Sequence, residues 1–451
     1  MARRNYSTNW TGPFVPKEKS TRDWLEETKT IGMSLGLSNT IHLMKLLNIK
    51  FDKTKTIHIA GSNGKGTLCA FMAASMTLSG HSNILFSSPH LCRVEERIRF
   101  NGCPVDNKSF EFALEEIRSV SQKNELKPTF FETTFLAAML VAMRKNIEYL
   151  ILETGLGGRL DATRCAPADL SILTSITREH TDILGENIYQ IIREKAAIAR
   201  PGKPLIARVM QLEKYIETVE DVSANCAIQE MNETFDSADC NFVSIPEEAT
   251  IMMEARVLAE KAFEILNISV DSFDVVENRL RWPARLQTIL LNNNQTIILD
   301  AAHNPTGLKK VAPELSKMVK KTMQNGKWSL IFGTSPQNNM DLMLTEISQL
   351  CELIGPPEIY LTKPHGGRYP AVETSELASY EWLCTGIHEF DNPAEVLKFL
   401  LKRTPKENGT ILSIGSLYLQ GNILNHLGMS SDEELSLIPK ESNGVTHGKG
   451  D

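Results

Sequence analysis

The feature that most constrains the fold is a short apolar run closed by a glycine-rich turn and continued by a helical stretch. Thr56-Ile-His-Ile-Ala60 reads as a buried strand, Gly61-Ser-Asn-Gly-Lys-Gly-Thr67 follows it, and 67–79 reads as a helix. In that order, glycines let backbone N–H groups close around phosphate oxygens, and the helix start adds the positive end of its dipole. Lys65 can reach the β- and γ-phosphates, and Thr67 can offer a hydroxyl to magnesium. Gly61 stands only three positions ahead of Gly64, a shorter spacing than the usual phosphate-loop pattern. On the loop alone, a plain glycine turn before a helix stays open as an alternative.

Further short apolar runs alternate with helical segments. Asn83-Ile-Leu-Phe-Ser87, Tyr149-Leu-Ile-Leu152 and Leu170-Ser-Ile-Leu-Thr174 read as strands, and 134–145 as a buried helix. A second series begins after Asn278-Arg-Leu-Arg-Trp-Pro-Ala-Arg285, with strands expected at 296–300, 328–332, 358–362 and 410–415 and a helix at 393–402. Strands interleaved with helices predict an α/β fold: a P-loop-type, doubly wound, mostly parallel sheet domain followed by a smaller Rossmann-like α/β domain. The expected divisions are 1–283, 284–430 and a polar, glycine-rich tail over 431–451, expected to be disordered. The 451 residues leave room for both cores.

Composition narrows the class of function. The net charge is −7 with no basic tract, so no nucleic-acid footprint is visible. The longest apolar run, 135–143, is half of a membrane span, and residues 1–9 lack a secretory h-region. Eight scattered cysteines without a CxxC pair fit reduced thiols. The expectation is a cytoplasmic protein, by default a monomer, with small-molecule partners.

Several residues invite a chemical reading. Glu153 ends a strand and opens Glu153-Thr-Gly-Leu-Gly-Gly-Arg-Leu-Asp-Ala-Thr163. A carboxylate at the carboxyl end of a parallel strand beside a phosphate loop is where a magnesium ligand belongs, though a helix cap would look alike. His180 follows a strand end and could equally be structural. Lys195 lies in Ile191-Ile-Arg-Glu-Lys-Ala-Ala-Ile198 and on its own reads as a solvated helix lysine. Asp300-Ala-Ala-His-Asn-Pro305 on its own is a strand followed by an Asn-Pro turn.

Taken in order, these segments resemble the folylpolyglutamate synthase/dihydrofolate synthase family of the Mur-ligase superfamily. The resemblance rests on His58-Ile-Ala-Gly-Ser-Asn-Gly-Lys-Gly-Thr67, Ser87-Ser-Pro-His-Leu91 with Glu96-Arg-Ile-Arg99, Thr129-Phe-Phe-Glu132, Leu152 to Thr163, and Arg193-Glu-Lys-Ala196. Arg285-Leu-Gln287, Leu299 to Pro305 and Gly415-Ser-Leu-Tyr418 extend it, so that it runs from about Trp24 to about Leu427. It implies an ATP- and Mg2+-dependent ligase that activates a pterin-linked carboxylate (dihydropteroate or a folate) as an acyl phosphate. L-Glutamate then attacks, and ADP and phosphate leave.

The resemblance also implies roles. Gly61, Asn63, Gly64, Lys65, Gly66 and Thr67 would cradle ATP, with Arg285 and Asp300 contributed by the second domain. Ser88, Glu153 and His180 would hold magnesium, and Lys195 would be carbamylated to serve a second ion. His303 would stand near phosphoryl transfer, so that Lys65, Lys195 and His303 form the catalytic set. Ser34, Leu35, Gly36, Leu37, Thr129, Leu160, Asp161 and Ala162 would line the pterin site. Ser34, Arg164, Glu179 and Glu254 depart from the family pattern, which leaves a same-fold ligase for another acid and amine, or a non-catalytic nucleotide binder, as alternatives.

Overall fold

The computed structural model describes residues 20–32, 36–227, 237–323, 326–367, 369–405, 409–439 and 446–448. The first sheet holds β1 (Lys55–Ala60), β2 (Asn83–Phe86), β3 (Ile98–Phe100), β4 (Cys103–Pro104), β5 (Tyr149–Glu153), β6 (Leu170–Leu173), β7 (Pro204–Arg208) and β8 (Asp239–Val243). The order is β4-β3-β2-β5-β1-β6-β7-β8, parallel from β2 to β8, with β3 and β4 antiparallel at one edge. The four strands legible in sequence here, β1, β2, β5 and β6, occupy the centre. Successive side chains of a strand point to opposite faces. Ile84, Phe86, Leu150 and Leu152 therefore enter one core, while Ile57, Ile59, Leu85 and Ile151 enter the other. The helices Asn107–Lys123 and Phe130–Lys145 cover the first face, and Lys65–Leu78 and Ile251–Leu266 the second. A strand buried on both faces must be apolar at nearly every position, which is why these runs stand out in the sequence.

The second sheet holds β9 (Gln287–Leu291), β10 (Thr296–Leu299), β11 (Ser329–Phe332), β12 (Glu358–Thr362), β13 (Gly386–Phe390), β14 (Thr410–Ile414) and β15 (Thr446–Gly448). Its order is β13-β12-β11-β14-β10-β9-β15, parallel except for β9 against β10. Helices lie on both faces again: Pro305–Thr322 and Met340–Ile354 on one, Pro393–Leu401 and Leu417–His426 on the other. No helix among the described residues is long and apolar enough to cross a membrane.

One expectation fails in part. The stretch from 431 is not a free tail over its described length: Leu435 and Leu437 are fully buried, and Leu437 enters a core of the first sheet. Burying a leucine contributes about 2 kcal/mol, which outweighs the polar composition around it.

Candidate active site

In parallel α/β sheets, ligands bind beyond the carboxyl ends of the strands, where the strand order reverses. Here that point is the exit of β1, between β5 and β6. Gly61 leaves the strand with φ 148°, and a Cβ on it would lie 1.9 Å from Thr174 Oγ1, so only glycine fits. The loop is anchored to the exit of β6. Thr174 Oγ1 donates to Asn63 O at 2.8 Å, Ser62 N to Ser175 O at 2.7 Å, and Thr177 N to Ser62 Oγ at 3.0 Å. Lys65 begins the helix and curls back, its Nζ donating to Gly61 O (2.8 Å) and Ser62 O (3.2 Å).

Glu153 ends β5 and is buried; it caps no helix. Its Oε2 accepts the Ser88 N–H at 3.1 Å, so two of the three expected magnesium ligands meet. Its Oε1 lies 3.4 Å from the point where a Cβ on Gly66 would stand, beside the phosphate loop. Burial raises its pKa, while Lys65, the Ser88 N–H, Arg285 and Arg97 act against the rise. His180, the third, is exposed at φ 47°, within the electrostatic reach of Glu179, Lys195 and Lys65. Lys65 thus acts on both groups. Among the described residues no three His, Cys, Asp or Glu form a metal cage. The donor set nevertheless suits magnesium, which takes one or two carboxylates and completes its shell with water and phosphate oxygens.

The solvated-helix reading of Lys195 is wrong: the residue is 2 % exposed. Its Nζ donates to Gly61 O and to Glu179 Oε1, each at 2.9 Å. Burial pushes the ammonium pKa down and Glu179 pulls it up. For Glu179, burial alone would raise the carboxyl pKa, but Lys195, Lys65 and His180 outweigh it and hold it at about 2. The second glycine turn seats this helix: Arg159 N donates to Glu194 O at 2.8 Å.

The second sheet contributes from the exit of β10. Asp300 is buried and its carboxylate holds backbone, accepting Leu286 N (2.9 Å) and Ala302 N (2.8 Å), which fixes the segments carrying Arg285 and His303. Burial raises its pKa against the pull of Arg285. His303 Nδ1 lies 2.9 Å from Ala301 O, so Nδ1 carries the proton and Nε2 keeps its lone pair. Its ring lies in the field of Arg285, Glu179 and His180, so groups from both sheets act on it. Asn63 bonds directly across: its Nδ2 donates to Thr306 Oγ1 (3.0 Å) and its Oδ1 accepts Asn304 Nδ2 (3.1 Å). Glu254 also bridges the sheets, pairing with Arg208 at 3.0 Å and with Lys310.

Of the expected pterin-site residues, Ser34 and Leu35 lie outside the described residues. Gly36 and Leu37 open the helix Ser38–Leu46, which packs beside Phe130–Lys145 and the 3-10 turn Ala162–Cys165. Leu37 and Ala162 thereby share one core, with Leu160 and Asp161 just ahead of Ala162 and Thr129 at the start of the neighbouring helix. Asp161 is committed to holding its turn, accepting from Gly155 N (2.9 Å), Leu156 N (3.0 Å) and Thr163 N (2.9 Å). Thr129 caps its helix through Glu132 N at 3.3 Å. Arg164, a departure from the family pattern, donates to Cys226 O at 2.7 Å.

Arg97 is a site residue that sequence reasoning missed. Its guanidinium is buried, lies 5.0 Å over the Phe130 ring, and donates through Nε to His90 Nδ1 at 3.0 Å. Burial lowers its pKa to about 10 despite Tyr418, Glu153 and Glu96. The signal was present in Glu96-Arg-Ile-Arg99, where arginines flank a core isoleucine in a strand-like run.

Comparison with known proteins agrees with this geometry. The Mur ligase middle domain family matches residues 59–238. The dihydrofolate synthase/folylpolyglutamate synthase of Bacillus subtilis is 27 % identical, covering 91 % of this chain and 99 % of its own. That of Escherichia coli is 29 % identical over 69 % of this chain and 74 % of its own. A bifunctional folylpolyglutamate synthase/dihydrofolate synthase solved with Mn, AMPPNP and L-glutamate bound superposes with a TM-score of 0.74 at 22 % identity, covering 91 % and 98 % of the two chains, a likeness of fold. The chain is thus similar, over most of its length, to dihydrofolate synthase/folylpolyglutamate synthases, and it carries a Mur-ligase-type fold.

Proposed function

We propose that the protein is an ATP-dependent ligase joining L-glutamate to a pterin-linked carboxylate, converting dihydropteroate to dihydrofolate, a folate to its polyglutamate, or both. The observation that carries this reading is the meeting of Lys65, Ser88 and Glu153 from the first sheet with Arg285 and His303 from the second, across the Asn63–Asn304 contact. The acid's carboxylate oxygen takes the γ-phosphoryl group as ADP departs; the glutamate amine then attacks the acyl carbon, phosphate leaves, and the amine proton passes to solvent or base.

Each step builds charge on transferring oxygens. Lys65 and Arg285 supply fixed cations, and His303, whose Nδ1 is bonded to Ala301 O, keeps Nε2 as a proton acceptor. Ser88, Glu153 and His180 would hold magnesium, with Lys195 serving a second ion as its carbamate; magnesium would withdraw charge from the phosphate oxygens. An acyl phosphate is lost to water, so two bodies closing over the centre protect it. The division into an ATP-binding unit to about 283 and a closing unit beyond it follows from this reading, as does a cytoplasmic monomer. The test is ADP release by purified protein with L-glutamate and, separately, dihydropteroate, tetrahydrofolate or no pterin. Release that ignores both pterins would favour the ligase of another acid.

A further inference from the structure

The chain passes from one sheet to the other at the linker before β9, at 431–439 and again on the way to β15, whose approach through 440–445 lies outside the described residues; the first two touch. The first is the linker Arg281-Trp282-Pro283-Ala284-Arg285. The second is the segment 431–439, which leaves the helix Leu417–His426 of the second sheet and returns to the first. Leu437 lies between the linker and the β3–β4 turn: its carbonyl accepts Arg281 N at 2.8 Å, and its N–H donates to Gly102 O at 2.9 Å. Its side chain is fully buried in the core that also holds Leu280 and, partly buried, Trp282. Around it, Asp432 pairs with Arg93, and Ser436 Oγ lies 3.3 Å from Cys103 Sγ.

The linker reaches the centre at both of its ends. A Trp282 ring carbon lies 3.4 Å from the Cβ position of Gly66, and the ring carries the Arg99 guanidinium at 4.9 Å. Arg285 N donates to Trp282 O at 3.1 Å, and Ala284 O accepts Ala301 N at 2.9 Å. Anything that fixes Arg281 therefore fixes what rests on the phosphate helix and where Arg285 faces Glu153.

We propose that 431–439 is a strap and Leu437 a positioning residue for the ligation reaction: it clamps the linker so that Trp282 stays seated on the phosphate helix and Arg285 stays aimed at the centre. One crossing would let the second body swing freely. Two crossings joined by the Arg281–Leu437 bond restrict how far the linker can move. The ion pair with Arg93 is exposed and adds little; the buried leucine holds the strap down.

The test uses the full chain with Leu437→Asp and Leu437→Met. Arg281 is exposed, so trypsin can report on the linker directly. Leu437→Asp is expected to speed cleavage after Arg281 about tenfold, and Leu437→Met to stay within about twofold of wild type. The kinetic arm rests on the proposed ligase function: kcat falls about tenfold with KM for ATP changed less than about threefold, because a displaced site cation costs rate rather than nucleotide binding. Faster cleavage with unchanged kcat overturns the positioning role, and unchanged cleavage overturns the strap. If Leu437→Asp does not fold, Ser436→Cys opposite Cys103 decides: the oxidised protein is expected to resist trypsin and keep its turnover, and a loss of turnover that reductant restores would mean the strap must lift, against the proposal. A wild type without ligase turnover would refute the proposed function and leave the cleavage arm standing.

Discussion

Gly421 lies inside the helix Leu417–His426, where glycine costs about 1 kcal/mol relative to alanine, so Gly421→Ala should stabilise that helix taken alone. The tertiary structure reverses the expectation. A Cβ at 421 would stand 2.1 Å from Leu91 O and 2.8 Å from Leu91 C. Carbon and carbonyl oxygen pack no closer than about 3.3 Å, so the helix and the 87–93 loop must part by about 1.2 Å, the difference between 3.3 and 2.1. Both obstacles are backbone, so no side-chain rotation relieves the clash. The loop belongs to the first sheet and carries Ser88 and His90, while the helix belongs to the second, so the cheapest relief is to open the seam between them. Overpacking of this kind costs about 1–3 kcal/mol, partly offset by the helix gain. A shift of about 1 Å at a catalytic seam lowers rate by up to about a hundredfold. The expected outcome is kcat reduced about 10–100-fold in the ADP-release assay, with the apparent Tm lowered by no more than about 4 °C. Wild-type turnover in Gly421→Ala would refute the argument that this contact sets the closed geometry.

Lys65→Ala should abolish ligation, a loss of about 3 kcal/mol of transition-state stabilisation or more, while circular dichroism stays that of wild type; a folded, active variant would remove the phosphate-cradle assignment. For Lys195, labelling with 13C-bicarbonate should give a carbamate resonance that Lys195→Ala lacks, and Lys195→Ala should be nearly inactive with partial rescue by a short carboxylic acid; an active variant with ordinary magnesium dependence would leave Lys195 as the ion-pair partner of Glu179 alone. His90 is held at about 3, chiefly by burial and then by Arg97 and Lys29. The folded state therefore resists a proton that the unfolded chain takes up near 6.5, so this contribution to stability is complete above 6.5 and is lost as the pH falls from there toward 3. At pH 5.5 the loss is at most about 1.4 kcal/mol; urea melts of wild type and His90→Asn at pH 7.5 and 5.5 should differ by that much, and equal slopes would refute the buried neutral imidazole.

Much of this protein is written in local pattern. The runs at β1, β2, β5 and β6 are apolar because each strand is covered on both faces, and the phosphate loop is marked because only glycine tolerates the approach of Thr174 at Gly61. Position along those strands was enough to bring Lys65, Glu153 and His180 to one end of one sheet. Local pattern misled where long-range packing sets the environment. Lys195 carries the spacing of a surface helix, yet that helix is laid against the Gly155–Gly158 turn and its ammonium is driven into the core, where Glu179 and the Gly61 carbonyl are its partners. Asp161 looks like a site carboxylate but is occupied by three backbone N–H groups of its own turn. The 431–439 segment has the composition of a free tail, and only the pocket beneath the linker, assembled from Gly102, Leu280 and Arg281, makes Leu437 a core residue. Periodicity reports which face of an element is covered, because burial repeats along the chain with the element's own geometry. It carries no information about which distant backbone groups meet a given side chain, since that is decided by how the two sheets are brought together.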